Sequence, residues 1–256
     1  LIVLVGSNTA WCHPVVWQRI EAARARRGTK LVVIDPRRTE TAELADLHIA
    51  VTPDGDVALF NALLAEMRDR GLLDDPFLAE SCVTPAGFIE CLDPSDSGVD
   101  FPTFAAFADL VAAHPRMVTL FSQGANQSRS GTDKGNAIIN LHLALGRINV
   151  AGSGPFSITG QPNAMGGREV GGLANVLACH LGFSPDERAE VAEFWNAPNI
   201  CAGPGMKAVE LFQAVAAGQI KVLWIMGTNP VVSLPDADAA RAALQACPLV
   251  IVSDAV

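Results

Sequence analysis

The sequence predicts an α/β fold of three layers, a parallel sheet with helices on both faces, followed by part of a second α/β domain. Two observations carry this reading. Short apolar runs alternate with stretches of helical character along the chain, which is the order that wraps helices around a parallel sheet. Five of those runs end on a small polar tip: Gly6-Ser7-Asn8, Asp35-Pro36-Arg37, Gln123-Gly124, Gly227-Thr228-Asn229 and Ser253-Asp254. An open parallel sheet binds its ligands at such positions, outside the carboxyl ends of its strands.

The elements follow in order. Residues 2–5 form the first apolar run, and a helix extends over about 13–27 until Gly28 stops it. Residues 31–34 form a second strand, 40–45 a short helix and 48–51 a third strand; Asp56 then caps a helix running to about Asp69. Residues 85–102, rich in Pro, Gly, Ser and Asp, read as irregular loop. Helix resumes over 104–113, strand over 116–121, and an apolar helix over 136–146 closes on Gly146. Residues 152–172 form a glycine-rich loop with few hydrophobes; long loops of that kind inside a compact protein are usually functional. Helix at 203–217, strand at 222–226, helix at 235–247 and strand at 249–252 complete the chain. The expected division is residues 1–152 as a dinucleotide-binding domain and 153–256 as the glycine-rich loop with part of a second α/β domain.

Composition excludes several classes. Half of the residues are hydrophobic and only 18% are charged, which rules against disorder. The net charge of -9, without a lysine-rich block, disfavours nucleic acid and anionic membranes as partners. No apolar run approaches the roughly 18 residues of a spanning helix. Mean hydropathy is +0.28, an excess that points to buried strands or to a surface facing the rest of a larger protein. Both ends read as core strands, so the sequence is expected to be an internal piece of a longer polypeptide. Cys12, Cys82, Cys91, Cys179, Cys201 and Cys247 form no C-x-x-C pair, which leaves no zinc-ribbon or local iron–sulfur signature. Their scatter suggests reduced, mostly buried thiols in a cytoplasmic protein.

The polar strand tips together describe an extended, nucleotide-type ligand. Glycine lets backbone approach a phosphate, Ser and Asn supply hydrogen bonds, and a carboxylate suits a ribose or a donor-rich base edge. Each tip also reads as an ordinary turn, and Asp56 reads first as a helix N-cap. The chain has no G-x-G-x-x-G after its first strand, no Walker motif and no G-x-S-x-G elbow. His13, His48, His114, His142 and His180 lack partners at metal spacing and read as structural, and Cys12 beside Trp11 reads as buried packing. Arg168, between Gly166-Gly167 and Glu169, suits a planar oxyanion through its guanidinium fork, or alternatively a surface pair with Glu169.

Several strings resemble the molybdopterin oxidoreductase family: Val5-Gly6-Ser7-Asn8, Val33-Ile34-Asp35-Pro36-Arg37-Arg38-Thr39, Thr41-Ala42-Glu43-Leu44-Ala45-Asp46, residues 136–143 and Met226-Gly227-Thr228-Asn229-Pro230. The resemblance runs from the first residue to the last. Its most specific stretch, residues 155–171 with Met165-Gly166-Gly167-Arg168-Glu169-Val170-Gly171, is similar to assimilatory nitrate reductases; periplasmic nitrate reductases carry a differently spaced version, and formate dehydrogenases lack its ending.

This resemblance implies a molybdenum ion held by two molybdopterin guanine dinucleotides and oxygen-atom transfer from nitrate. It implies that Gly6, Ser7 and Asn8 meet one diphosphate, that Asp35, Arg37 and Asp56 lie at the guanosine end, and that Gln123 and Gln127 lie near the pterin. Asn229, Ser253 and Asp254 are implied to contact the second dinucleotide, and Met165 and Arg168 to line the substrate path. The loop Asp54-Gly55 stands where the family more often has Gly-Thr. The family's 4Fe–4S cluster motif and its molybdenum ligand are not in this sequence, so the chain alone is expected to bind no stable cofactor and to be inactive, and no residue is assigned as a metal ligand. Implied partners are nitrate, the remaining domains of the same polypeptide, and an electron donor such as ferredoxin, flavodoxin or an NADH-linked subunit. A piece of another enzyme of the family, such as a periplasmic nitrate reductase or a formate dehydrogenase, and a non-enzymatic, stand-alone nucleotide-binding module are the alternatives.

Overall fold

A computed structural model describes residues 1–85, 87, 97–158, 160 and 163–254. Cys91 and, within the glycine-rich stretch, Thr159, Gln161 and Pro162 lie outside the described residues. The chain divides into two compact units, Leu1–Pro162 and Asn163–Val256.

The first unit begins with β1 (Ile2–Val5), α1 (Thr9–Cys12), α2 (Pro14–Arg27), β2 (Leu31–Ile34), α3 (Glu40–Glu43), β3 (Leu47–Ile49) and α4 (Asp56–Asp69). It continues with α5 (Asp75–Ser81), α6 (Phe101–Ala113), β4 (Val118–Phe121), α7 (Gln123–Asn126), α8 (Gly131–Ala144) and β5 (Gly154–Ser157). The five strands form one parallel sheet in the order β3-β2-β1-β4-β5. The chain builds outward from β1 on one side, then crosses to the other side with β4. That reversal opens a crevice between the ends of β1 and β4.

Period-two alternation sorts the strand residues onto two faces. Val3, Val5, Val32, Ile34 and Ile49 pack against Leu59, Phe60, Leu63, Leu64 and Met67 of α4, with Phe107 of α6 and Ile138 and Leu141 of α8. Phe60 and Phe107 meet edge to face at 6.5 Å, an arrangement favoured by the ring quadrupoles. Leu4, Leu31 and Val33 point the other way, against Trp17 and Ile20 of α2 and Ala42 of α3. The expected three layers are present.

Local chemistry sets the helix ends. Gly28 takes a φ of +64° and returns its N–H to Arg24 O, ending α2. Thr39 caps α3 by accepting from Ala42 N. Helix α6 starts three residues before the expected position, because Asp100 accepts from Thr103 N and Pro102 fits the first turn. Helix α8 starts at Gly131, five residues early. Part of the expected 152–172 loop is ordered as β5, which pairs with β4 from Val118↔Gly154 to Phe121↔Ser157.

The second unit holds α9 (Ala164–Glu169), a 3-10 turn (Ala178–His180), α10 (Pro185–Trp195), α11 (Ala208–Ala216), β6 (Val222–Met226), α12 (Pro230–Ser233), α13 (Ala237–Ala246) and β7 (Leu249–Ser253). β6 and β7 run parallel as a two-stranded sheet. Leu223 and Ile225 pack with Val215 of α11 and Ala243 of α13. The opposite face is bare: Val222, Trp224, Met226, Leu249 and Ile251 are all between 40% and 62% exposed. The expectation that β7 is a core strand is therefore corrected; helices cover only one side of this small sheet.

Helix α10 opens on a complete capping box. Glu187 N donates to Ser184 Oγ, and Glu187 Oε2 accepts from Ser184 N at 3.0 Å. Ser184→Ala is expected to destabilise the second unit by about 1 kcal/mol, read as a lower urea midpoint; an unchanged midpoint would show the cap to be dispensable.

Candidate functional site

The crevice between the strand ends is a cavity of about 440 Å³ in the first unit. Gly6, Ser7 and Asn8 line it after β1, Asp35, Pro36 and Arg37 after β2, and Ser122, Gln123 and Gly124 after β4. A parallel sheet brings these distant tips together because all its strands end at the same edge.

The tips are tied to one another. Gly6 N donates to Ile34 O at 2.9 Å, and Gly124 N to Gly6 O at 2.9 Å. Gly6 has a φ of +54°. A Cβ on Gly6 would lie 2.6 Å from Ala125 N, and one on Gly124 would lie 2.6 Å from Gly6 Cα. These glycines are thus required by backbone meeting backbone, a reason the strand-tip pattern does not itself reveal. Asn8 Oδ1 accepts from Thr41 Oγ1 at 2.8 Å, and Thr41 Oγ1 accepts from Ala10 N at 2.9 Å. Ser7 and Thr9 hydroxyls pair at 2.9 Å. Asp35 is buried; its Oδ1 accepts from Arg37 N, and its carbonyl accepts from His48 Nε2 at 2.9 Å. Ser122 Oγ donates to Gln123 Oε1.

The far wall is built by Thr52, Pro53, Asp54 and Asp56 with Lys134 of α8. Asp56 is not the N-cap expected from the sequence. Gly55 holds the cap position, Asp56 is the first helical residue, and its Oδ2 pairs with Lys134 Nζ at 2.9 Å. Lys134 also reaches Asp54 Oδ1 at 2.9 Å, and Ser130 Oγ donates to the same oxygen at 3.1 Å. The hydrogen bond from Lys134, followed by that from Ser130, holds the Asp54 carboxyl below its ordinary range. Burial pulls the Lys134 ammonium down, but its bonds to Asp56 and Asp54 outweigh burial and raise it above the ordinary lysine value.

Of the other sequence candidates, Gln127 is exposed at the end of α7 and is not among the residues lining the cavity. In the second unit, Asn229 stands at the start of α12, and Ser253 ends β7 with Asp254 following. Gly227 N donates to Ser253 O at 3.0 Å, so the tips of β6 and β7 lie side by side. Trp224 Nε1 donates to Ser253 Oγ at 2.9 Å. Met165 and Arg168 sit three residues apart on α9, hence on neighbouring positions of one face. Both are exposed, and among the described residues no ion pair joins Arg168 to Glu169 or to any other carboxylate. Asn163 Oδ1 accepts from Gly166 N at the start of that helix.

Two readings need correction. Cys12 is exposed and lines the cavity, because α1 ends at the crevice mouth instead of against the core. Among the described cysteines only Cys247 is buried; Cys12, Cys179 and Cys201 are exposed. Lys134 is the residue that sequence reasoning missed. Its signal is phase: it recurs with Ala137, Ile138, Leu141 and His142 in the buried stripe of α8. No helix among the described residues is long and apolar enough to cross a membrane.

A parallel sheet with helices on both faces and a cavity at its switch point, lined by glycine backbone, carboxylates and cations, defines a doubly wound α/β protein. The family model Molybdopterin oxidoreductase matches residues 1–256, and the chain belongs to the molybdopterin oxidoreductase family. It is 49% identical to a nitrate reductase of Klebsiella oxytoca over 100% of this chain and 30% of that protein. It is 38% identical to a nitrate reductase of Synechocystis sp., over 98% of this chain and 37% of the relative. An F420-dependent formate dehydrogenase subunit alpha of Methanococcus maripaludis is 30% identical over 99% of this chain and 38% of its own length. The chain thus spans about a third of the curated relatives it matches. Acetylene hydratase from Pelobacter acetylenicus superposes with a TM-score of 0.64 at 18% identity, covering 98% of this chain and 38% of that structure, which shows a shared fold.

Proposed function

We propose that the chain is the cofactor-binding part of an assimilatory, cytoplasmic, molybdenum-dependent nitrate reductase that reduces nitrate to nitrite. The observation that carries this is the 49% identity with a nitrate reductase across the whole chain, laid over a cavity whose chemistry suits a nucleotide. The fit is physical. Gly6 and Gly124 pack backbone against backbone and both line the cavity, which puts main chain where a diphosphate needs close approach. Asp35, Asp54 and Asp56 offer acceptors to a base edge and ribose, and Arg37 offers a guanidinium to phosphate.

Gly6, Ser7, Asn8, Asp35, Arg37 and Asp56 would hold one molybdopterin guanine dinucleotide, with Gln123 and Gln127 toward its pterin. Asn229, Ser253 and Asp254 would hold the second. When bound, the molybdenum cofactor supplies the oxygen-atom-transfer chemistry; a 4Fe–4S cluster elsewhere in the polypeptide and an external donor (ferredoxin, flavodoxin or an NADH-linked subunit) supply electrons. Arg168 orients the planar anion through two parallel N–H donors, and Met165 gives the path an apolar wall.

The test is the full-length enzyme. It is expected to carry molybdenum and guanine nucleotide and to reduce nitrate; formate oxidation in place of nitrate reduction would overturn the assignment. Arg168→Ala is expected to lower kcat/KM for nitrate by about tenfold or more, the loss of one charge-assisted contact. Unaltered turnover at subsaturating nitrate would remove Arg168 from the substrate path.

A further inference from the structure

Lys134 occupies a position where helix α8 otherwise buries Ala137, Ile138, Leu141 and His142. Its side chain is 3% exposed, yet it lines the cavity. Removing an ammonium from water costs several kcal/mol, and an apolar residue would complete the stripe at lower cost. The reason for a lysine must therefore lie in what it holds.

It holds the wall of the cavity. Asp54 has a φ of +67°, in the region that non-glycine residues avoid, and its Oδ1 takes both Lys134 and Ser130. Asp56 gives only Oδ2 to the ion pair. Among the described residues one side-chain oxygen of each carboxylate is thus fixed by a side-chain partner, Asp54 Oδ1 and Asp56 Oδ2, and the other is left as an acceptor. The cavity is lined by the three carboxylates of Asp35, Asp54 and Asp56 against two cations, Arg37 and Lys134. Without Lys134 the wall would repel an anionic ligand more strongly, and two neighbouring carboxylates would face each other unscreened.

We propose that Lys134 is a positioning residue for a nucleoside diphosphate in this cavity: it sets the 52–56 turn so that Asp54 and Asp56 present acceptors to the base, and it offsets their charge so that the diphosphate can enter. The proposal rests on the function proposed above.

The experiment measures guanine nucleotide released on denaturation and molybdenum, each per polypeptide, in the full-length enzyme and in Lys134→Met, Lys134→Gln and Lys134→Arg. Lys134→Met and Lys134→Gln are expected to hold at least tenfold less nucleotide, and Lys134→Arg, which keeps the charge, to hold most of it. A purely structural lysine would lower the thermal midpoint of the cofactor-free protein and leave the folded fraction fully loaded; that result overturns the proposal. Should Lys134→Met fail to fold, Lys134→Gln decides by the same readout. Lys134→Arg as empty as Lys134→Gln overturns the role of charge. A wild-type enzyme that releases no guanine nucleotide overturns the function itself; a loaded wild type beside an equally loaded Lys134→Gln overturns only the role of Lys134.

Discussion

Gly6→Ala is expected to destabilise the first unit by roughly 2–5 kcal/mol, the sum of a left-handed backbone penalty and an overpacking cost. The two contributions are separable within this molecule. Gly28 has a φ of +64°, close to the +54° of Gly6, but a Cβ there would meet nothing within 4 Å. Gly28→Ala is therefore expected to cost only the backbone part, about 1 kcal/mol. At Gly6 the added methyl would meet Ala125 N at 2.6 Å and Gly124 at 2.7 Å. These are backbone atoms, so no side chain can rotate away. The strand tip would have to part from α7, breaking the Gly124 N to Gly6 O bond and opening the cavity floor. Urea unfolding of the two variants measures the difference; Gly6→Ala behaving like Gly28→Ala would mean that the two tips are not held in contact.

Acidification is expected to remove roughly 2 kcal/mol of stability between pH 6.5 and 5 through one histidine. His142 is fully buried on α8 and its Nε2 bonds Thr119 Oγ1 at 2.8 Å. Burial, and after it the nearby Arg147 guanidinium, lowers its pKa to about 4. Because the folded value is depressed, the unfolded chain binds a proton near pH 6.5 while the folded chain stays neutral. The contribution is complete above that pH and is lost progressively as pH falls toward 4. The denaturant midpoint measured from pH 7.5 to 5 is expected to fall in wild type and to change much less in His142→Gln. Equal slopes in the two proteins would remove His142 as the origin.

The two predictions differ in how far the sequence announces them. The sheet was legible: the run Leu31–Ile34 and the tip Asp35-Pro36-Arg37 fall where alternation and a polar stop put them. The assembly of Gly6, Ser7, Asn8, Asp35 and Gln123 around one cavity follows from parallel strands ending together. What escaped has a common cause, contact across long sequence separation. Nothing near Lys134 says that its partners lie at Asp54 and Asp56. Nothing near Gly6 says that Gly124 rests on it. Helix α10 was hidden differently: its apolar residues, Ala189, Val191, Ala192, Phe194 and Trp195, crowd its second half, and the Ser184 to Glu187 box marks its start. Cys12 was misplaced because a cysteine beside a tryptophan resembles core, whereas Trp11 is itself 69% exposed.

The bare face of the small sheet has a practical consequence. Val222, Trp224, Met226, Leu249 and Ile251 form an apolar plate, and among the described residues the outer edges of β6 and β7 carry no pairing strand. Such a surface is a template on which a second chain can stack or add a strand. Such a face favours self-association of the chain at high concentration, and a charged substitution at Trp224, in the middle of the plate, opposes it.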